Sequence, residues 1–558
     1  MSSLVDANRH HGAVARLRRD RSRAGVWRWV LYLAALLTLL PVLALGWQAA
    51  QGSSGLWAHL AQHVLPRATL NTLSLLAGVG GLSAAIGIGA AWLVSAYRFP
   101  GRSVLGWMLL LPLAVPTYIV AFAYIDILHP LGPLQGGLRW LLGFDSPRQW
   151  RLPDMRSLWL AIVLMALVLY PYVYLTCRAL FATQSAGLIE AGRMLGLSQR
   201  AVFWRLVLPL ARPALAVGVA LVLLEALNDI GASEFLGVQT LTVAIHATWV
   251  TRSDLPGAAQ IALTLLALVL ILLGVERYGR RRQRFAASSR KYRPIEPKQL
   301  RGRAAWTVSL LCALPVLFGF VLPALHLAWQ AAIRFADGIR PSQALLDAAF
   351  NTLKAGLLAT LIIVLLGLLL AWALRLVQAG RVSAMPQLAF RLASLGYALP
   401  GTVLAIGLMV VLGAADAAIG RAFWLGSMSA LVIAYALRFL AISAGTLDAG
   451  FSRLPPSIDQ AAASLGCNAR QRLWRIHLPL LRTSLAASAL LVLVDTMKEL
   501  PATLMLRPLN FETLATWLYG EAARGTYEDG ALAGLLIVAV GLIPVIWLAK
   551  NGLEDKKQ

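Results

Sequence analysis

Long apolar stretches separated by short polar segments dominate the pattern along the chain. A helix needs about 20 mostly apolar residues to cross the hydrocarbon core of a bilayer. Twelve stretches meet that length, and we predict that each forms a membrane-spanning helix. They cover approximately residues 27–49, 70–96, 104–128, 157–178, 213–233, 258–275, 304–330, 351–374, 388–413, 424–446, 482–500 and 530–549.

The composition fits a membrane protein better than a soluble one. Of the 558 residues, 59% are hydrophobic and only 13% are charged, which leaves too little polar surface to cover soluble domains. The first apolar run, from Val26 to Ala50, follows a basic segment as in a signal peptide, but it is longer than the apolar region of a signal peptide. We therefore predict an all-α membrane protein whose first span is retained.

Basic residues are distributed unevenly between the two sides of the predicted membrane. With the N-terminus placed in the cytoplasm, and each basic residue inside a span counted with the nearer flanking segment, 37 of the 50 lysines and arginines fall on the cytoplasmic side and 13 on the other. This positive-inside pattern predicts a multi-pass protein with both termini in the cytoplasm. The net charge of +25 then follows from loops that face anionic lipid head groups, and nucleic-acid binding is not needed to explain it.

The second half of the sequence repeats features of the first. Leu208-Pro209-Leu210 matches Leu478-Pro479-Leu480 at an offset of 270 residues, and Asn71-Thr72-Leu73 matches Asn351-Thr352-Leu353 at 280. Six spans per half keep both halves in the same orientation, so we predict two parallel six-helix halves with a pathway at their interface. The predicted division is a basic tail at 1–26, a first half at 27–276, a basic linker at 277–303, a second half at 304–550 and a tail at 551–558.

A motif of small residues, glycine and proline occurs once in each half, in the cytoplasmic loop between the fourth and fifth spans. A glycine inside each motif, Gly196 or Gly466, allows the left-handed backbone conformation that ends a helix. Ser198 and Asn468 follow and are suited to cap a second short helix. The first motif consists of Glu190, Ala191, Gly192, Gly196, Leu208 and Pro209, and the second of Gln460, Ala461, Ala462, Gly466, Leu478 and Pro479.

The second short helix of each loop presents apolar residues beside arginines. Phe203 and Trp204 occur in the first loop, and Leu473 and Trp474 occur in the second. The flanking arginines are Arg200, Arg205, Arg472 and Arg475. Exposed aromatic residues rimmed by arginine are typical of a surface that docks another protein. An amphipathic helix lying on the bilayer is the alternative, but matching positions in both halves favour docking.

These loops resemble the EAA signature, EAA-x3-G-x9-I-x-L-P, of the permease subunits of ABC importers. The resemblance implies the fold of a type I ABC importer permease in the inner membrane of a bacterial cell, with each loop forming a coupling helix in a groove of an ATP-binding subunit. Two copies of that cytoplasmic subunit and a periplasmic solute-binding protein are the implied partners. The chain departs from the signature at Gly192, where alanine is usual, and at Gln460, where glutamate is usual.

The sequence contains no phosphate-binding loop of the form G-x4-G-K-[S/T]. If ATP drives transport, hydrolysis therefore takes place on a separate chain, and we expect neither a cofactor nor an enzymatic activity on this one. The histidines and cysteines show no metal-binding spacing, so we assign no metal site. A secondary transporter with two parallel halves is the rival class, but such a protein has no reason to repeat a coupling loop.

Two segments that follow the loops indicate the cargo. Residues 228–245 and 497–516 resemble the corresponding parts of fused two-half iron(III) permeases, which work with periplasmic ferric-binding proteins. The resemblance extends over nearly the whole chain and implies import of ferric iron. Thiamine, polyamine, sulfate and molybdate permeases share the loops, and these solutes remain alternatives.

Two pairs of acidic residues lie near the outer ends of predicted spans. Glu225 and Asp229 are four residues apart, as are Asp495 and Glu499, so each pair shares one helix face. Ionisable groups at membrane depth usually face a water-filled path or a partner, and carboxylates are hard ligands for hard cations. We predict that these four carboxylates line the outer part of the pathway. The structural alternative is that they cap loop backbone or pair with basic residues, namely Arg438, Lys498 and Arg507.

Overall fold

The computed structural model describes residues 2–53, 55, 57–183, 192, 194–280, 297–378 and 384–554. Most of these residues lie in helices. Within the described ranges, ten helices are long and apolar enough to cross a membrane, and two bent helix pairs bring the total to twelve. The prediction of an all-α membrane protein with about twelve spans is therefore confirmed.

The elements before residue 281 contain the first six spans. They are α1 (Ser2–Ala50), α2 (Trp57–Ala96), β1 (Tyr97–Arg98), α3 (Arg102–Met108), α4 (Thr117–Ile127), α5 (Pro133–Leu142), α6 (Leu158–Thr183), α7 (Gln199–Val202), α8 (Leu208–Asn228), α9 (Gly231–Phe235), α10 (Leu241–Val250) and α11 (Leu255–Arg280).

The elements after residue 296 contain the other six spans. They are β2 (Lys298–Gln299), α12 (Gly302–Ala336), α13 (Gln343–Gln378), α14 (Ala384–Ala393), α15 (Gly401–Ile419), α16 (Met428–Ser452), α17 (Pro456–Ser464), α18 (Ala469–Arg472), α19 (Leu478–Leu480), α20 (Arg482–Met497), α21 (Pro501–Leu506), α22 (Leu514–Arg524) and α23 (Tyr527–Glu554). The two-residue strands β1 and β2 pair in parallel.

The third and ninth predicted spans are broken, and a bend lies directly before the eleventh. In the ninth, residues 394–400 separate α14 from α15. The third consists of α3 with the short 3-10 turn Leu111–Ala114, followed by α4 at an angle of 91°. Pro112 and Pro116 lie at this break, and proline removes the backbone N–H that a continuous helix needs. The bend before the eleventh is 74°, between α19, which contains Pro479, and α20.

The fifth span ends earlier than predicted, and a short helix follows it. The prediction covered residues 213–233, but α8 ends at Asn228 and the backbone is extended at Asp229. The next long apolar segment forms α10, which has ten residues. A helix of that length is too short to cross a bilayer, so the hydropathy pattern did not reveal it.

One compact unit of the chain consists of residues 1–51 and 350–512. In this unit α1 packs against α14 and α15. Thr38 on α1 donates a hydrogen bond to the carbonyl of Ala393 at 3.3 Å, and Gly407 on α15 lies against the backbone of Pro41. The first span of the chain therefore packs against helices that come late in the sequence.

The other compact unit consists of residues 52–349 and 513–558. In it α2 packs along α6, and α8 packs against both. A Cβ added at Gly87 on α2 would lie 2.6 Å from the Cβ of Val173 on α6, so the two helices approach closely. α12 and α23 also pack together in this unit, where Arg334 and Asp529 form an ion pair.

The compact units group the spans differently from the predicted halves at 27–276 and 304–550. The first span lies in the unit that holds most of the second half, and spans seven and twelve lie in the unit that holds most of the first. Hydropathy identifies a span by its composition and carries no information about which distant helix covers its apolar surface.

Gly407→Ala is expected to lower the stability of the unit that contains α1, because the added methyl group meets the backbone of Pro41. Overpacking of this kind costs about 1–3 kcal/mol, and thermal unfolding in detergent should show a lower midpoint. Gly445→Ala on α16 is the control, because nothing lies within 4 Å of a Cβ added there. Equal midpoints for the two variants would contradict the packing of α1 against α15.

Candidate functional site

The first of the two predicted coupling loops, residues 184–207, connects α6 to α8. Gly196 has a φ of +81°, and Ser198 Oγ accepts a hydrogen bond from the backbone three residues on, at 3.3 Å. A Cβ added at Gly192 would lie 2.6 Å from Cδ1 of Leu206, so glycine fits closely where the signature usually has alanine. Two motif residues lie outside the described residues, namely Glu190 and Ala191.

The second loop, residues 456–477, has the same construction. Gly466 has a φ of +89°. Asn468 and Gln471 form a capping box in which each side chain accepts the other residue's backbone N–H at 2.9 Å. The predicted glycine turns and helix caps are confirmed in both loops.

Each loop ends in a π-helical turn at an equivalent position, Phe203–Val207 in the first and Leu473–His477 in the second. A Leu-Pro pair follows each turn, Leu208-Pro209 in one case and Leu478-Pro479 in the other. Proline cannot donate the backbone hydrogen bond of a regular helix, and wider π turns often occur at functional sites. The repeated turn therefore sets how each loop joins the span that follows it.

One side of each π turn is anchored to aromatic residues of the spans. In the first loop, the ring of Phe203 lies 5.8 Å from that of Trp92 on α2. In the second, Leu473 packs in one apolar cluster with Trp372 on α13 and Phe451 on α16. Trp92 and Trp372 are related by the 280-residue offset seen in the sequence repeat. Equivalent tryptophans thus anchor both loops.

The other side of each loop carries exposed apolar residues. Leu195 and Trp204 are 83% and 65% exposed in the first loop, and Leu465 and Trp474 are 85% and 63% exposed in the second. Each first-loop residue matches its counterpart at an offset of 270. Large apolar side chains exposed in matching pairs indicate a surface for another protein. Next to this surface in the second motif lie the exposed Gln460 and Ala461 and the buried Ala462.

A charged cluster ties the second loop to the spans. Arg375 donates to Asp459 Oδ2 through Nε and Nη2, at 2.9 and 2.7 Å, and to the carbonyl of Phe451 at 2.6 Å. The buried His477 lies with Nε2 2.8 Å from the other Asp459 oxygen. Partial burial alone would raise the pKa of Asp459, but the hydrogen bonds from His477 and Arg375 outweigh it and lower the pKa.

The first loop differs from the second at the positions of this cluster. Val207 and Ile189 stand at the sequence positions equivalent to His477 and Asp459, so neither the imidazole nor the carboxylate is available there. One expectation for the second loop is wrong. Arg472, predicted at the exposed rim, is buried and lies with Nη1 3.5 Å from the carbonyl oxygen of Asp459.

Two of the four predicted pathway carboxylates form equivalent turns at the far ends of the spans that begin at the loops. Asp229 Oδ1 accepts the N–H of Ala232, and Glu499 Oε1 accepts the N–H of Ala502, both at 2.9 Å. Both carboxylates are buried. They cap α9 and α21 and so satisfy backbone donors that a membrane cannot hydrate.

The two turns differ in their side-chain partners. Thr117, the first residue of α4, donates a hydrogen bond to Asp229. The first residue of α15 is Gly401, where an added Cβ would collide with the guanidinium of Arg438. Arg438 occupies that space and pairs with Glu499 at 2.9 Å. A buried ion pair therefore supports the second turn, and a hydroxyl supports the first.

The other two carboxylates are less enclosed. Asp495 pairs with Lys498 at 2.7 Å, and Glu225 is half-buried on α8, one turn before Asp229. Asp229 and Glu499 accept backbone N–H groups, and Glu499 and Asp495 also pair with basic residues. These are the contacts expected if the carboxylates have a structural role. A role of the four carboxylates in the pathway stays a prediction.

The Asn-Thr-Leu repeat has a structural role that the sequence alone did not indicate. Asn71 Nδ2 donates to the carbonyl of Gln239 at 3.1 Å, and Asn351 Nδ2 donates to the carbonyl of Glu512 at 3.2 Å. Each accepting residue directly precedes the threonine that caps α10 or α22. Each asparagine therefore holds the backbone directly before the start of an equivalent helix. The occurrence of Asn-Thr-Leu in both halves was the sequence signal for this role.

The structure therefore shows a multi-pass chain with two equivalent loops, each of which exposes a leucine and a tryptophan. The chain belongs to the family of binding-protein-dependent transport system inner membrane components, which matches residues 83–285 and again residues 379–551. Each match includes one loop and the span after it. The class predicted from the sequence, an ABC importer permease and not an enzyme, is confirmed.

Relatives extend over one or both halves of the chain. It is 25% identical to the Fe(3+)-transport system permease protein FbpB 2 of Haemophilus influenzae, over 87% of this chain and 90% of the relative. It is also 25% identical to the probable ABC transporter permease protein y4fN of Sinorhizobium fredii, over 94% and 95%. The sulfate transport system permease protein CysT of Escherichia coli is 30% identical over 45% of this chain and 91% of its own length.

Asp459→Asn is expected to loosen the second loop, because Arg375 loses its anionic partner. A hydrogen bond to a charged group contributes about 1.5–3 kcal/mol, so hydrogen exchange at residues 456–477 should become faster in the full chain held in nanodiscs. Arg470→Gln is the control, because it removes an exposed charge from the same loop. Equal exchange in both variants would contradict an anchoring role for the cluster.

The same cluster gives the second loop a pH dependence. The folded-state pKa of Asp459 is lowered. The stabilisation of the loop by its carboxylate is therefore fully present above the ordinary carboxyl pKa, and it is lost as the pH falls through the lowered pKa. Exchange at residues 456–477 in the unaltered chain should become faster over that acidic window, and Asp459→Asn should remove this change. An identical pH profile in the variant would contradict the assignment.

Proposed function

We propose that this chain is the permease of an ATP-driven importer of ferric iron. The observation that carries the cargo assignment is the alignment with the Fe(3+)-transport permease of Haemophilus influenzae over 87% of this chain and 90% of the relative, which leaves neither half out.

Energy enters through the two loops. Each exposes one leucine and one tryptophan, Leu195 with Trp204 and Leu465 with Trp474. Tryptophans that insert into a pocket supply much of the binding energy at protein interfaces. Two copies of a cytoplasmic ATP-binding subunit each receive one loop, so the partner binds and hydrolyses ATP and this chain holds no cofactor.

The anchors allow the loops to transmit movement to the membrane. Phe203 packs on Trp92, and Leu473 packs with Trp372, so a displaced loop takes α2 or α13 with it. ATP binding draws the two partner subunits together and moves both loops. The pathway between the halves then changes the side to which it opens.

The proposed orientation places both termini and both loops in the cytoplasm. The distribution of lysine and arginine supports it. A periplasmic ferric-binding protein delivers the ion at the opposite face of the inner membrane. One copy of the chain supplies both halves of the complex.

Trp204→Ala and Trp474→Ala are each expected to weaken binding of the ATP-binding subunit. Truncation of a central interface residue costs about 2 kcal/mol or more, which is about 30-fold in affinity. The affinity of the purified subunit for the chain in nanodiscs measures this effect. Trp140→Ala is the control, because Trp140 is 83% exposed on α5, away from the loops. Unchanged affinity in both loop variants would contradict docking at these surfaces.

Ferric uptake is expected to depend on this chain. Cells that lack the chain and cells in which it is restored are compared for uptake of radiolabelled ferric iron, with labelled sulfate and thiamine run alongside. Iron alone should follow the presence of the chain. If iron uptake is unaffected and sulfate or thiamine follows the chain, the cargo assignment is wrong, although the permease class stands.

A further inference from the structure

Three side chains with metal-binding chemistry meet at the far ends of the spans from the loops. Tyr519 on α22 donates a hydrogen bond to Glu234 Oε2 on α9, with 2.7 Å between the oxygens. The ring of Tyr519 stacks on Phe235, with centroids 5.7 Å apart, and the ring of His246 on α10 meets it edge-on at 6.2 Å. All four residues lie within the compact unit of residues 52–349 and 513–558.

His246 and Tyr519 occupy equivalent positions in the two halves of the sequence. Each is the sixth residue after the threonine that caps its helix, Thr240 for α10 and Thr513 for α22. Equivalent asparagines in turn hold the residues before these caps. Contact between equivalent positions marks a place where the two repeats meet, and in a two-half transporter the pathway runs between the repeats.

The rest of the chain does not enclose the cluster. Glu234 is exposed, and His246 and Tyr519 are half-buried. α9 follows the end of α8 that lies away from the first loop, and α22 follows the end of α20 that lies away from the second. An ion that arrives on the side opposite the loops can therefore reach these side chains.

The possible metal ligands of this cluster include a phenol in addition to a carboxylate and an imidazole. Within the ranges that the structure describes, no three His, Cys, Asp or Glu side chains lie together as a metal site. A phenol oxygen is a hard donor outside that set. Tyr519 provides one, because a deprotonated phenol is an anionic oxygen ligand and tyrosine is a known protein ligand of iron.

We propose that Glu234, Tyr519 and His246 form a receiving site for the ferric ion as it enters the pathway. The inference rests on the proposed function, because it names the ligands of that cargo. Carboxylate and phenolate oxygens suit a hard cation, and imidazole also binds iron. When the ion binds, the phenol of Tyr519 gives its proton to water and an oxygen–iron bond replaces the O–H bond.

The spacing of the two oxygens suits a small octahedral cation. With metal–oxygen bonds of about 2.0–2.1 Å, ligands at adjacent octahedral positions lie about 2.9 Å apart. The Glu234 and Tyr519 oxygens are 2.7 Å apart, so both reach one ion with little movement. Three protein ligands leave the remaining positions to water or a chelator, and incomplete coordination lets the ion move on.

The test uses variants that remove one donor and keep the packing. Tyr519→Phe removes only the hydroxyl and retains the ring that stacks on Phe235. Glu234→Gln removes the charge from an exposed side chain of similar shape. Tyr32→Phe on α1 is the matched control. Each full chain in nanodiscs is titrated with ferric nitrilotriacetate, and the visible phenolate-to-iron charge-transfer absorption is recorded. Radiolabelled ferric uptake is measured in cells at equal protein levels.

The unaltered chain and Tyr32→Phe should show the absorption band, and Tyr519→Phe should not. Uptake at limiting iron should fall at least about tenfold in Tyr519→Phe and Glu234→Gln, while all variants still bind the ATP-binding subunit. If the unaltered chain imports iron and both variants import it equally well, or if the band persists in Tyr519→Phe, the site is wrong and the proposed function stands. If the unaltered chain imports no iron, the proposed function fails and the site fails with it.

Discussion

The core of a bilayer offers no water to a free backbone group, and the rest of this structure depends on that constraint. Where a span ends inside the protein, a side chain supplies the missing hydrogen bond. Asp229 caps α9 and Glu499 caps α21, and threonines cap α10 and α22. Because side chains of other helices form hydrogen bonds or an ion pair with these turns, the short helices have defined positions. Those helices carry His246 and Tyr519 to the place where they meet.

Features that depend on a few consecutive residues could be predicted from the sequence. The spans, the repeated loops, the left-handed glycines and the caps at Ser198 and Asn468 are of this kind. The partner of a buried carboxylate could not be predicted, because the space that Gly401 leaves for Arg438 beside Glu499 depends on elements far apart in the chain. The packing of α1 against α14 and α15 was unpredictable for the same reason. The cluster around Tyr519 also required contacts between distant segments.

The two loops share a surface but differ in their attachment. A tryptophan of the spans, Trp92 or Trp372, anchors each π turn through apolar contact. The second loop is also held by charge-assisted hydrogen bonds from Arg375 to Asp459, which are stronger and more directional than apolar contacts. The loop with the extra attachment is the one in which Gln460 replaces the usual glutamate. In the proposed complex, two ATP-binding subunits meet similar surfaces, and among the described residues only the second loop has this charged attachment.

In the proposed function, a separate ATPase that acts through these loops drives the import of ferric iron. The most direct measurement is ferric accumulation in liposomes that contain the chain with its ATP-binding subunit, supplied with the loaded ferric-binding protein. We expect ferric iron to accumulate when the ATP-binding subunit has ATP, and not to accumulate when an ion gradient is imposed without ATP. Accumulation that follows the ion gradient and needs no ATP would contradict ATP-driven import, because the loops would then not transmit energy from an ATPase.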